Sequence, residues 1–252
     1  MFNGHAGRIE GRYYKSPRQN APVALILHPD PNFGGTMNNK VVYSLFRCFK
    51  DLGCSVLRFN FRGVGRSQGQ FDDGNGELSD ATIALDWLQN MNPDAKQCWI
   101  AGYSFGAWVG LQLLMRRPDI NNFIAVSPPA NEKDFTFLAP CPASGLIIQG
   151  GHDDIVSLSM VESMARHLNQ QRNVEIDFAM IEDADHQYNN RLPDLYRVSG
   201  QYVISAMQRR APIKKRRGRR KKSETDEDLL LENDMDTEDE FFDDVTDTED
   251  ED

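Results

Sequence analysis

The sequence lacks the segments that would place it outside the ordinary globular proteins. No apolar run approaches the roughly 18 residues that a membrane-spanning helix needs, and residues 1–10 contain no apolar core of a signal peptide. The cysteines, at positions 48, 54, 98 and 141, are too scattered for a disulfide scaffold or a zinc ribbon. We therefore expect a cytoplasmic protein with free thiols.

Basic residues are missing from positions 223–252, which carry 17 acidic side chains. Just before them, residues 214–222 read KKRRGRRKK, so nearly all of the net charge of −10 lies after residue 213. Blocks of like charge repel themselves and bury too little apolar surface to fold. We therefore predict a folded domain over residues 1–213, followed by a disordered tail over 214–252 that is basic first and then acidic.

The predicted tail suits only weak contacts. Its basic run would bind phosphate backbones of nucleic acid without reading sequence, by releasing counterions. Its acidic half holds apolar residues at 229–231 and 241–242 among carboxylates, a pattern typical of short-motif binding to a basic protein. The alternative interpretation is a solubilising tail in which the acidic half screens the basic half.

Short β-branched apolar runs alternate with longer helical patterns within residues 1–213. Near-continuous apolar strands alternating with helices predict an α/β fold with a mostly parallel sheet covered on both faces. Ligands of such folds bind beyond the carboxyl ends of the strands, so functional residues are expected in the loops there. The predicted strands are 8–14, 23–28, 55–61, 98–102, 123–127, 146–149 and 174–180, and the predicted helices are 41–52, 78–90, 105–117, 158–170 and 195–209.

The string GYSFG at residues 102–106 lies between a predicted strand and a predicted helix. Glycines on both sides of a serine permit the tight turn of a nucleophile elbow, which exposes the hydroxyl and puts the next amide at a helix N-terminus. The string by itself occurs by chance or as a structural turn. Its position between strand and helix favours Ser104 as a nucleophile.

A nucleophilic serine needs a base, and the base needs a carboxylate to orient it. Asp153 and Asp154 follow the predicted strand 146–149, and His186 follows the last predicted strand. This gives the chain order serine, aspartate, histidine that α/β-hydrolases use. His152, beside the two carboxylates, is the competing base.

Several of these strings together resemble a known family. The chain is similar, over about residues 4–210, to small capless bacterial α/β-hydrolases of the serine-aminopeptidase-like and dienelactone-hydrolase-like branches. In that family the acid lies three residues after the glycine that ends its strand, which implies Asp153 rather than Asp154. The strings that carry the resemblance are HPDPNFGGTMNNKVV (28–42), FNFRGVGRSQG (59–69), GYSFGAW (102–108), GGHDDIV (150–156) and DADHQY (183–188).

The resemblance also implies an oxyanion hole built from the Phe105 amide and an amide of the loop after the first parallel strand. Both prolines of residues 29–31 lack an N–H, so Asp30 is the expected donor, with Asn32 and Phe33 as alternatives. Relatives often carry a histidine where this chain has Asp30. A carboxylate is compatible with that role only if it points away from the developing oxyanion.

These observations predict a serine hydrolase acting on an ester, thioester or amide, with a small-molecule acyl substrate and no metal or organic cofactor. Residues 128–143 are too few for a cap domain, and the shallow site that follows favours a small-acyl esterase. A peptidase of the serine-aminopeptidase type is the second interpretation. The third is a non-catalytic binding or scaffold protein that acts through its charged tail.

Overall fold

The computed structural model describes residues 1–209, which form a seven-stranded sheet with helices on both faces and a separate two-stranded hairpin. The predicted domain boundary at residue 213 and the charged segment 214–252 lie outside the described residues. The strands are β1 (Phe2–Gly4), β2 (Gly7–Ile9), β3 (Gly11–Tyr14), β4 (Val23–Leu27), β5 (Ser55–Phe59), β6 (Cys98–Tyr103), β7 (Asn122–Val126), β8 (Ser144–Gly150) and β9 (Ile176–Ile181). The helices are α1 (Lys40–Asp51), α2 (Asn75–Asn90), α3 (Phe105–Arg116), α4 (Leu158–Asn169) and α5 (Leu192–Gln208).

The large sheet has the strand order β3-β5-β4-β6-β7-β8-β9. Only β3 runs antiparallel to its neighbour, which confirms the predicted mostly parallel sheet. Strand β4 is buried along its whole length, whereas β9, at the edge, is buried only at its two ends and is exposed or half-buried between them. The carboxyl ends of β4 and of β6 to β9 therefore share one edge of the sheet, and the predicted site residues follow those ends.

Two hydrophobic cores lie on the two faces of the sheet, because successive side chains of a strand point to opposite faces. Val23, Leu25 and Leu27 of β4 pack into the core that also contains residues of α2, α3 and α4. Ala24 and Ile26 pack into the other core, with residues of α1 and α5. This double coverage explains why the parallel strands read as almost unbroken apolar runs.

Helix α2 begins at Asn75, three residues before its predicted start. The Glu77 carboxylate is buried and accepts hydrogen bonds from the backbone amides of Gly74 and Asp72 at 2.8 and 3.1 Å. A glutamate in the first turn that accepts hydrogen bonds from these amides extends the helix by about one turn. This turn does not show in the spacing of the apolar residues. The hairpin of β1 and β2 was likewise not predicted.

The connection from β7 to β8 contains no domain of its own. Its only regular element among the described residues is the short 3₁₀ helix Thr136–Leu138. The fold is therefore an α/β-hydrolase fold without a cap, and nothing of the size of a domain covers the carboxyl ends of the strands from this connection.

The four cysteines of the chain lie in the protein interior. All four cysteines are buried with free thiols, and burial raises the pKa of Cys48, Cys54 and Cys98 to about 12. The thiols are therefore protonated at neutral pH and poor nucleophiles.

Within residues 1–209, no helix combines the length and the apolar character required to cross a membrane.

Candidate active site

Ser104 occupies the turn between β6 and α3. Its backbone has φ 53° and ψ −120°, a region that side chains with a Cβ rarely adopt and that costs about 1–3 kcal/mol. The Ser104 amide donates to the Val126 carbonyl at 2.8 Å, and the Ser104 carbonyl accepts from the Ala107 amide at 2.9 Å. The strained turn is thus held between the end of β7 and the first turn of α3, as a nucleophile elbow requires.

The two glycines of the GYSFG string are required by close backbone packing. A Cβ on Gly102 would lie 2.3 Å from the Gly106 carbonyl oxygen, and a Cβ on Gly106 would lie 2.5 Å from the His28 carbonyl oxygen. Neither contact is tolerated between real atoms. The glycines therefore let α3 approach the ends of β4 and β6, which puts the elbow beside the loop after β4.

Asp153 and His186 meet across the loops that follow β8 and β9. The Nδ1 atom of His186 lies 2.8 Å from Oδ2 of Asp153, whose side chain is fully buried. Since an ionised carboxylate only accepts hydrogen bonds, Nδ1 carries the proton and Nε2 keeps its lone pair. His186 is thus held in the tautomer that a general base needs.

The Asp153 carboxylate has an unusually complete set of donors. Its Oδ1 accepts the backbone amides of Ile155 and Val156 at 3.0 and 2.8 Å, and its Oδ2 accepts His186 and the Gln149 side chain. Burial alone raises the pKa of this carboxyl, but the hydrogen bonds from His186 and from the loop amides outweigh burial and lower it. The group is therefore ionised at neutral pH.

The competing candidates lie apart from this pair. Asp154 and His152 are both exposed on the loop after β8, and the carboxylate that accepts the hydrogen bond from His186 Nδ1 is that of Asp153. The hydrogen bonds of residues 1–209 do not include one from the Ser104 hydroxyl to His186, a contact that often closes only when substrate binds.

Two buried tyrosines hold the His186 loop against the sheet. The Tyr103 hydroxyl donates to the His186 carbonyl at 2.7 Å, and its ring lies 5.2 Å from the imidazole. The Tyr188 hydroxyl is hydrogen-bonded to the Ser127 hydroxyl at 3.0 Å. Tyr103 immediately precedes Ser104, so it links the elbow to the histidine loop. Sequence reasoning missed both residues, although each lies within two positions of a candidate.

The loop after β4 uses the Asp30 side chain internally. Its Oδ1 accepts the Asn32 amide at 2.8 Å and caps the 3₁₀ helix Pro31–Phe33, while its carbonyl oxygen accepts the Phe33 amide at 3.2 Å. Both alternative oxyanion donors are therefore already engaged. The amides of Asp30 and of Phe105 have no hydrogen-bond acceptor within the described residues, and the Asp30 carboxylate is committed to its own loop.

His28 sets the direction of the Asp30 amide. It is fully buried, its Nδ1 lies 2.7 Å from the Pro29 carbonyl oxygen, and its Nε2 accepts the Phe61 amide at 3.0 Å. Burial lowers the pKa of His28 to about 4, so the imidazole is neutral and Nδ1 is the donor. The Pro29 carbonyl and the Asp30 N–H belong to one planar trans peptide and point in opposite directions. Holding the carbonyl therefore aims the amide.

Comparison with known proteins shows the family to which the chain belongs. The sequence profile of the alpha/beta hydrolase fold matches residues 31–143. A solved structure from Xanthomonas campestris, a member of the α/β serine hydrolases without a lid, is 32% identical and has a TM-score of 0.72. The match covers 83% of this chain and 94% of that chain. The chain belongs to the α/β-hydrolase family.

Two further relatives of this α/β-hydrolase are identical to it at about half of the aligned positions. An uncharacterized protein from Rickettsia prowazekii is 52% identical over 208 residues, which are 81% of this chain and 87% of that protein. A solved protein of unknown function from Agrobacterium tumefaciens is 51% identical with a TM-score of 0.80, and covers 82% of this chain and 94% of its own. The capless α/β-hydrolase resemblance stated from the motifs is thus confirmed at the level of the family.

Replacing Gly106 by alanine tests the close approach of α3 to β4. The added methyl group meets the His28 carbonyl oxygen, so we expect Gly106→Ala to lower the free energy of unfolding by about 1–3 kcal/mol. Gly110→Ala in the same helix is the matched control, because its Cβ would have no neighbour closer than 3.5 Å. Urea unfolding curves of the two variants measure the difference, and equal stabilities would contradict the steric argument.

The lowered pKa of His28 predicts a pH-dependent stability. The unfolded chain takes up a proton near pH 6.5 and the folded chain only near pH 4, so this contribution is complete above pH 6.5 and is lost as the pH falls towards 4. Between pH 7.5 and pH 5 the wild type should lose about 2 kcal/mol more unfolding free energy than His28→Gln, which does not titrate. Urea unfolding at both pH values measures this, and parallel losses in the two proteins would exclude a neutral buried imidazole.

Proposed function

We propose that this α/β-hydrolase cleaves esters of small acyl groups, with Ser104 as nucleophile, His186 as general base and Asp153 as the residue that orients His186. The observation that carries the proposal is the 2.8 Å contact between His186 Nδ1 and the buried Asp153 carboxylate. The strained elbow at Ser104 supports it, because strain at a non-glycine residue marks functional turns.

The proposed reaction proceeds through an acyl-enzyme. His186 Nε2 takes the proton from the Ser104 hydroxyl while the oxygen attacks the substrate carbonyl, and the negative charge that develops on the carbonyl oxygen is held by the Phe105 and Asp30 amides. The intermediate collapses, the bond to the alcohol breaks, and the alcohol leaves with the proton from His186. Water then repeats the sequence on the acyl group, releases the carboxylic acid and restores Ser104.

The carboxylate of Asp153 contributes through its charge. Because its pKa is lowered, it remains ionised when His186 becomes positively charged during each proton transfer. A buried negative charge in contact with the imidazolium stabilises that state far more than an exposed one. The expulsion of water around Asp153 therefore supports its role as the orienting acid.

The preference for small esters rests on an open site with apolar side chains on its loops. The connection from β7 to β8 adds only a short 3₁₀ helix. Phe33, on the loop after β4, is 90% exposed, and Ile155, on the loop after β8, is 53% exposed. We infer that these two side chains contact the apolar part of a small ester, because a site without a cap does not enclose a long lipid chain.

Labelling by a fluorophosphonate probe tests the nucleophile. The probe should modify the wild type at Ser104, whereas Ser104→Ala should remain unlabelled because the proposed nucleophile has been removed. Ser163→Ala, at an exposed serine of α4, is the matched control and should be labelled fully. An intact wild type that stays unlabelled, or a Ser104→Ala variant labelled as strongly, would refute the assignment.

Truncation of the chain after Ile213 tests the proposed domain organisation by the same labelling experiment. We propose that residues 1–213 are the hydrolase domain, so truncation should leave both labelling and ester hydrolysis unchanged. A screen of acyl esters beside aminoacyl amides and thioesters decides between esterase and peptidase. Loss of all labelling in the truncated chain would assign a part in the site to residues 214–252, and a full-length chain that hydrolyses nothing would favour the scaffold interpretation.

Two neighbouring carboxylates allow a matched test of the acid. Asp153→Asn should lower kcat/KM by about 10³- to 10⁴-fold, because an amide can present its N–H to Nδ1 and impose the wrong tautomer on His186. Asp154→Asn removes the same charge one residue away and should leave kcat/KM within twofold. Steady-state hydrolysis of a p-nitrophenyl ester measures both. Equal losses in the two variants would show that the loop, not the specific carboxylate, matters.

A further inference from the structure

Gln149, at the end of β8, is a fully buried amide that none of the steps above uses. Its Nε2 donates to Oδ2 of Asp153 at 2.9 Å and to the Val156 carbonyl at 3.0 Å. Both partners are acceptors without a hydrogen, so only the NH₂ end of the amide fits there and the orientation of the side chain is fixed.

The other end of the same amide is not satisfied. Gln149 Oε1 is buried and has no hydrogen-bond partner within residues 1–209. Burying an amide oxygen without a partner is unfavourable, and an apolar side chain of similar size would pack at lower cost. The contacts of this side chain are therefore those of its NH₂ group, with Asp153 and with the loop that carries Asp153.

We propose that Gln149 is a positioning residue that fixes the Asp153 carboxylate and limits the negative charge that the carboxylate presents to His186. The inference rests on the proposed triad. Gln149 and His186 donate to the same oxygen, so the two hydrogen bonds compete for its electron density. The second hydrogen bond of Gln149, to Val156, closes the loop from β8 back onto the strand that positions it.

Removing this donor has two consequences. The carboxylate loses one of four hydrogen bonds and is freer to rotate away from the imidazole, which lowers the rate of each proton transfer. The negative charge remaining on Oδ2 also acts more fully on His186, so the imidazolium forms at higher pH. Loss of a merely structural amide would lower stability without moving the titration of His186.

The other titratable groups near Asp153 and His186 do not interfere with this measurement. Burial raises the pKa of Tyr103 and of Tyr188, so both phenols stay protonated through the neutral range. Hydrogen bonding from the Asn189 amide lowers the pKa of Asp185, next to His186, so that carboxylate stays ionised. The nearby side chain of Lys40 further lowers the pKa of Asp185. His152, exposed on the loop after β8, is the other imidazole next to this pair, and assignment of the His186 signal separates the two.

The test compares Gln149→Met with Gln171→Met in the full chain. Gln171 is the matched control, because its side chain also makes two hydrogen bonds, accepting from the Cys141 amide at 2.6 Å and donating to the Leu138 carbonyl at 2.9 Å, away from the loop after β8. The titration of His186 is followed by nuclear magnetic resonance on protein with ¹⁵N-labelled histidine, with its signal assigned by its loss in His186→Gln.

In Gln149→Met we expect the midpoint of the His186 titration to rise by about 0.5–1 pH unit, which corresponds to the net free energy of one hydrogen bond. The acidic limb of kcat/KM should move by the same amount, with kcat lower by about tenfold and KM nearly unchanged. Gln171→Met should leave both the titration and the pH profile in place.

Gln149→Leu keeps the proposal testable if the methionine variant does not fold. Its side chain is apolar and cannot donate a hydrogen bond to Asp153, so the His186 titration should again move upward. A folded variant with an unchanged His186 titration would overturn the positioning role. A wild type that does not hydrolyse esters, combined with a shifted titration in Gln149→Met, would refute the proposed function and leave the role of Gln149 standing.

Discussion

A carboxylate removed from water must be surrounded by hydrogen-bond donors, and the arrangement around Asp153 satisfies this constraint. Two donors are amides of its own loop, one is Gln149 of β8, and one is His186 from the loop after β9. The buried charge therefore fixes the loop, ties it to the strand before it and selects the histidine tautomer. These three results follow from one desolvated group.

The nucleophile side of the site depends on backbone atoms that come unusually close. Gly106 permits α3 to touch the carbonyl end of β4, and His28 holds the next peptide so that its N–H turns away from the core. The turn at Ser104 and the loop after β4 are therefore parts of one packed unit. Tyr103 extends that unit to the histidine loop by donating to the His186 carbonyl.

Much of this arrangement could be predicted from local patterns. Apolar runs identified the buried strands, the alternating pattern of residues 174–180 identified an edge strand, and the glycines around Ser104 identified the turn. Glu77 and Gln149 could not be predicted in the same way. Each is an ordinary polar residue in the sequence, and its role arises from acceptors or donors that the folded chain brings to it.

By itself, the sequence determined the class of fold and the residue types of the candidate triad, because strand periodicity and an elbow string are properties of neighbouring residues. The choice of Asp153 came from a family resemblance and not from spacing alone. Only the tertiary structure decided which hydrogen-bond partner each of these polar groups meets: His28 with Pro29, Asp30 with its own loop, Gln149 with Asp153. Some of these pairings join atoms that are distant in the chain, and others depend on the geometry of a loop. Both kinds form only when strands and helices pack.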